Sequence, residues 1–236
     1  LLIGMGGNAL AAIQLGKGQI DKVELTLGNS TALMIIFSLV ISVVGTIFID
    51  PLLTMIGTTA ELWEPTKQFV LILIIFDVFV TVGFGLYNFL RTAGRPNLAL
   101  ASSAFSVVMC VLFNLLFVPV MGFGVAGSAL ATVCGEAATA VPVILYFTKV
   151  KGAAFHLRLK CMKLDRNDSL LILKLGLASF AMQIGSTIVN VVFNHVIAIY
   201  GSTAAVGVSG CLAGIGVSNR MVYIIVSIFI GVTMGM

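Results

Sequence analysis

Charge is scarce in this chain. Of 236 residues, 13 are Lys or Arg and 9 are Asp or Glu, together 9%, against roughly 25% in a soluble globular domain. So few charges cannot coat a water-facing surface, which excludes that class. Cysteine is also sparse. Cys110, Cys134 and Cys211 fall inside apolar runs and Cys161 in a polar connection. No pair has metal-ligand spacing and none sits where an external disulfide is expected, so the cysteines read as small core residues. The two histidines, His156 and His195, have no acid at i+4, and no nucleophile–base set accompanies them, which argues against a membrane-embedded enzyme. There is no GxxxxGK[ST] run and no cluster of soft ligands, so neither a nucleotide nor a metal cofactor is expected. No cleavable signal peptide is expected either.

Apolar sequence takes the place of charge: 59% of residues are hydrophobic. It is arranged in seven runs, approximately 1–14, 30–56, 66–90, 97–119, 124–148, 169–200 and 204–236. A helix needs about 20 residues to cross a bilayer, and backbone in lipid must satisfy itself within its own segment. These runs are too long and continuous for barrel strands. The expected fold class is an all-α integral membrane protein, a polytopic helix bundle.

The few charges are distributed unevenly. Alternate loops place ten basic residues on one side: Lys17, Lys22, Arg91, Arg95, Lys149, Lys151, Arg158, Lys160, Lys163 and Arg166. The opposite loops, near 50–67, 119–123 and 200–204, contain Lys67 as their single base. By the positive-inside rule the first set is cytoplasmic. The net charge of +4 is therefore explained by topology, and no nucleic-acid partner is implied. One connection, 148–168, is long and polar, and it is expected to join two lobes: 1–148 as an incomplete N-terminal lobe, 149–168 as a cytoplasmic linker, and 169–236 as the start of a C-terminal lobe. The chain opens LLIGMGGNAL and stops at IFIGVTMGM inside apolar runs. It is expected to be part of a longer, duplicated protein of the transporter kind.

Four short motifs occur in order along the chain. Leu15-Gly16-Lys17-Gly18 forms a glycine-bearing turn, and Leu90-Arg91-Thr92-Ala93-Gly94 forms a second before Pro96. Gly122, Gly124-Val125, Gly127, Ala129 and Ala131-Thr132 open a small-residue helix, and Lys174-Leu175-Gly176, Ser179-Phe180 and Gln183 follow the linker. In order, side and spacing these resemble the multidrug and toxic compound extrusion (MATE) transporters, from the end of that family's second helix to the end of its eighth. The resemblance implies a two-lobe, twelve-helix transporter that exports amphipathic organic cations and drugs by H⁺ or Na⁺ antiport. It would be a monomer with multiple spans in the cell (plasma) membrane. The alternative is a lipid-linked sugar flippase of the same wider superfamily, whose cavity should be more cationic; only Arg220, mid-span, points that way.

Ser179, Gln183, Thr187, Asn190 and Asn194 recur at spacings of four, four, three and four, on one face of a helix. Such a stripe is either interhelical hydrogen-bond glue or the wall of a wet cleft. The resemblance favours the cleft and makes Gln183, Thr187, Asn190 and Asn194 candidates for the substrate cavity. Asp77 and Glu136 lie some ten to twelve residues from the outer ends of their runs, hence about 15–18 Å deep. Acids at that depth are costly and are candidates for function. Asp77 shares a face with Thr81 and Asn88, and Glu136 with Thr132 and Thr139. Each is either a coupling site for H⁺ or Na⁺, or a protonated carboxyl bonded to a neighbouring helix. Some members of the family use an Asn-x-x-x-Asp-Pro pattern for cation binding. This chain keeps Asn114 and Pro119 but has Val118 in place of the acid. The candidate coupling set is therefore Asp77, Asn114, Thr132 and Glu136.

Overall fold

A computed structural model describes residues 2–56, 63–149, 154–157, 164–200, 214, 216–223 and 225–226. Among them run eight helices: α1 (Leu2–Gly16), α2 (Ile20–Ile47), α3 (Ile49–Ile56), α4 (Trp63–Ile75), α5 (Asp77–Thr92), α6 (Pro96–Leu115), α7 (Gly124–Lys149) and α8 (Arg166–Tyr200). A π-turn, Leu116–Val120, extends α6. Much of the expected linker and most of the expected last run lie outside the described residues. Apart from short turns and residues 154–157 and 164–165, the described residues are helical, a polytopic membrane bundle as the apolar runs require. Four helices are long and apolar enough to span a membrane, or five if α4 and α5 together count as one.

Two boundaries differ from expectation. The first polar segment, 15–29, is not a loop. α1 ends in a short turn and α2 begins at Ile20. Lys17, Gln19, Asp21 and Lys22 are exposed, but Glu24, Thr26 and Asn29 are buried. The run 66–90 is also not one straight helix, since α4 and α5 meet at a 56° bend.

The two glycine turns seen in sequence share one geometry. After α1, Gln19 N–H donates to the Gln14 carbonyl and Gly18 N–H to that of Leu15. After α5, Arg95 N–H donates to Leu90 and Gly94 N–H to Arg91. Both are Schellman caps, which need a left-handed residue just past the helix. Gly18 and Gly94 occupy it, with φ of +70° and +71°.

The chain divides into two compact units, Leu1–Ala181 and Met182–Met236. In the first, α1, α2, α5, α7 and the start of α8 enclose a core that includes Leu10, Leu27, Leu86, Phe89, Phe147 and Ile172. Glycines permit the closest approaches. A Cβ on Gly4 would lie 3.1 Å from the Gly85 Cα, and one on Gly6 would collide with the backbone at Ile172 and Gly176. Small residues bring helices together in this way where lipid offers no hydrophobic drive. Outside that core the side chains are apolar and exposed. α6 buries only Ala99 and Ser102, and Val107, Val108, Val111 and Leu112 face outward.

Candidate functional site

The bend between α4 and α5 lies inside an apolar stretch, FVLILIIFDVF, with neither glycine nor proline. It makes Asp77 the first residue of α5. A carboxylate in the first turn of a helix is favoured by the helix dipole. Its Oδ1 accepts a hydrogen bond from Thr81 Oγ1 at 3.2 Å, and its Oδ2 is buried without a partner among the described residues. Ser42 of α2 donates to the Ile74 carbonyl, in the last turn of α4, at 2.6 Å. The broken span thus offers a half-buried acid with one acceptor oxygen unused.

Glu136 is half-buried on α7, flanked by helices α5 and α6. A Cβ on Gly83 of α5 would lie 3.5 Å from the Glu136 carbonyl and 2.9 Å from the Ala140 Cβ. On the other side Ser106 of α6 donates to the Gly135 carbonyl at 2.7 Å, and a Cβ on Gly135 would lie 2.7 Å from the Cys110 Cβ. Asn114, one turn along α6, donates to the Cys110 carbonyl at 3.1 Å. Thr132 Oγ1 donates to the Ser128 carbonyl at 2.9 Å. The four candidate coupling residues therefore stand on α5, α6 and α7, with α7 packed against both others. Asn114 and Thr132 spend their donors on their own helices. No three His, Cys, Asp or Glu side chains gather in a metal-holding group among the described residues. Pro119 falls inside the π-turn, a local irregularity of the kind that recurs at functional sites.

The stripe lies along α8. Gln183, Thr187 and Asn190 are exposed, and the Asn194 side chain lies outside what is described. Thr187 Oγ1 donates to the Gln183 carbonyl at 2.9 Å and Asn190 Nδ2 to the Ser186 carbonyl at 2.8 Å. These two bonds stay within α8. The apolar face of the same stretch is exposed as well, including Ile184, Ile188 and Val191, so exposure does not single out the polar face. Arg220 is exposed too. The Thr81 bond to Asp77 was legible from their spacing of four. The helix break beside Asp77 was not, and an acid at a helix start was its single sequence signal.

By fold and by the placement of its polar groups, the chain is an all-helical, multi-pass membrane bundle with acids held inside its spans. The MatE family model matches residues 1–116, just under half of the chain. It is 26% identical over 238 residues to the multidrug export protein MepA of Staphylococcus haemolyticus, covering 99% of this chain and 50% of that protein. It is likewise 26% identical over 225 residues to MepA of Staphylococcus aureus, covering 94% of this chain and 47% of that one. The fold matches a multidrug resistance MATE family transporter of the MOP superfamily in its inward-facing conformation. The TM-score is 0.79 at 21% identity, over 89% of this chain and 46% of the other. It also matches a MOP superfamily transporter from Pyrococcus furiosus with TM-score 0.80 at 20% identity, over 92% and 48%. The chain spans about half the length of the curated relatives it matches.

Proposed function

We propose that the protein containing this chain is a secondary active transporter that exports amphipathic organic cations and drugs by H⁺ or Na⁺ antiport across the plasma membrane. It has twelve spans in two lobes, with 1–148 in the first, 149–168 as the cytoplasmic linker, and 169–236 opening the second. It works as a monomer and as a carrier rather than an enzyme, and the ion gradient replaces any nucleotide or cofactor. The MatE match over residues 1–116 and the similarity to multidrug export proteins support the activity. The observation that carries the mechanism is Asp77 at the break of a span, with a buried oxygen left without a partner. Discontinuous helices at membrane depth are where transporters hold coupling ions, because the bend frees backbone groups to share an ion with a side chain. In this reading Asp77 takes the proton or Na⁺. Glu136 on the helix packed against α5 is the second acid of the same lobe, and Asn114 and Thr132 are polar neighbours. Gln183, Thr187, Asn190 and Asn194 offer uncharged donors and acceptors to varied cations without demanding one geometry.

The test uses the full-length protein reconstituted in vesicles, with a cationic dye and an imposed pH or Na⁺ gradient. Dye movement should follow one of the gradients and stop when both are collapsed. Asp77→Asn should weaken coupling for every dye while leaving their rank order unchanged. Transport that survives collapse of both gradients and stops on ATP depletion would refute the antiport.

A further inference from the structure

The connection between α7 and α8 is fastened to α2 at two points. At the first, Phe155 is fully buried and stacks on Phe147 of α7, ring centroids 5.4 Å apart and 15° from parallel. It belongs to the core that contains Val23 and Leu27 of α2. The next residue, His156, donates its backbone N–H to Glu24 Oε1 at 2.9 Å, and its Nδ1 lies 3.7 Å from the same oxygen. Leu157 N–H donates to the Phe147 carbonyl at 2.9 Å. Glu24 is only 7% exposed, so water contributes little to its solvation and the connection supplies what water would.

The second point is Asn29, about 7.5 Å farther along α2 at the helical rise and 1% exposed. Its Nδ2 donates to the Asp165 carbonyl at 3.3 Å, and its Oδ1 accepts from Ser169 Oγ at 3.2 Å. Asp165 in turn caps α8: its Oδ1 accepts from Asn167 N–H at 2.8 Å, and its carbonyl accepts from Ser169 N–H at 2.9 Å. One buried amide on α2 therefore holds both the residue before α8 and the first turn of α8. A slack tether has no use for a fully buried ring or for two buried polar anchors. Ordering a chain costs entropy, and these contacts offset that cost.

We propose that residues 154–157 and 164–169 are the two jaws of a clasp that fixes the connection and the start of α8 to α2, with Glu24 and Asn29 as positioning residues. The clasp stays closed while the protein works, and this last statement alone rests on the transport reading above. Hydrogen exchange on the full-length protein in nanodiscs tests the clasp without reference to transport. The His156 and Leu157 amides should exchange at least about 100-fold more slowly than free chain. Glu24→Ala should speed both by about tenfold or more, with the α6 amides unchanged. Glu24→Gln keeps an acceptor oxygen and should restore most of the protection. Free-chain exchange in the wild type, or no response to Glu24→Ala, would overturn the clasp. If Glu24→Ala fails to fold, the wild-type rates and Glu24→Gln still decide.

For the working state, Glu24→Cys with His156→Cys, in a background with the native cysteines replaced, is joined by a short bifunctional thiol reagent. Dye transport should stay within about twofold of the unjoined protein, since the link adds nothing to a contact already closed. Transport lost on joining, with the unjoined protein active, would show that the jaws must open. If the unjoined double variant is inactive and the wild type is inactive too, the transport reading fails and the exchange rates decide the clasp by themselves.

Discussion

Two helices of this molecule carry several polar residues through apolar sequence, and they put them to different use. On α2, Glu24, Thr26, Asn29, Ser30 and Thr31 are all buried. Three of them are bonded to other elements: Thr26 donates to Gln14 of α1 at 2.8 Å, Glu24 receives His156, and Asn29 holds Asp165 and Ser169. On α8, Gln183, Thr187 and Asn190 are exposed, and the recorded bonds of Thr187 and Asn190 close on their own helix. A period of three to four shows only that side chains share a face. What the face meets is a separate matter. The hydrogen-bond glue considered for α8 is realised on α2, where the sequence suggested a loop.

That contrast can be broken or sharpened by substitution. The largest effect is expected from Phe155→Ala, which empties a fully buried ring site beside Phe147. It should destabilise the protein by about 3–5 kcal/mol, read as a fall in Tm in detergent. A loss below about 1 kcal/mol would mean that Phe155 is not core. Asn29→Ala should come next. It removes the bonds from Asn29 to Ser169 Oγ and to the Asp165 carbonyl, which then keep only each other and the Ser169 N–H, at a cost of about 1–3 kcal/mol, seen in thermal unfolding and in folded yield.

Gly94→Ala touches no side chain but forces φ of +71° on a residue with a Cβ. It should cost about 1–2 kcal/mol, and Gly94→Asn should recover part of it. The smallest change in stability is expected on α8. Gln183→Ala and Asn190→Ala should stay within about 0.5 kcal/mol, because their side chains are exposed. They should instead alter the ratio of resistance to two unlike cationic dyes, normalised to folded protein in the membrane. A fall in folded protein as large as that from Asn29→Ala, with the dye ratio unchanged, would erase the contrast and make the α8 stripe glue.

Much of the fold was legible because lipid leaves backbone few choices. Apolar runs of the length of 97–119 and 124–148 can only be helices, and α6 and α7 follow them closely. The glycine turns were legible as well, since Gly18 and Gly94 stand where a helix needs a left-handed residue. At the candidate site, Asp77 and Thr81 were paired correctly by spacing alone. The four candidates Asp77, Asn114, Thr132 and Glu136 stand on three neighbouring helices, α5, α6 and α7.

What the sequence by itself determined, then, is class, helix content and the faces of helices, because these follow from local backbone satisfaction and from a period of 3.6. Only the tertiary structure decided that Glu24, Thr26 and Asn29 of α2 are buried rather than solvated. It alone placed the 56° bend beside Asp77 in a stretch without proline or glycine, and it alone drew Phe155 from a polar connection into the core. Each of these depends on which group stands opposite, across sequence separations as large as the 136 residues between Asn29 and Asp165. Burial of a polar side chain is favourable only once its partner has arrived.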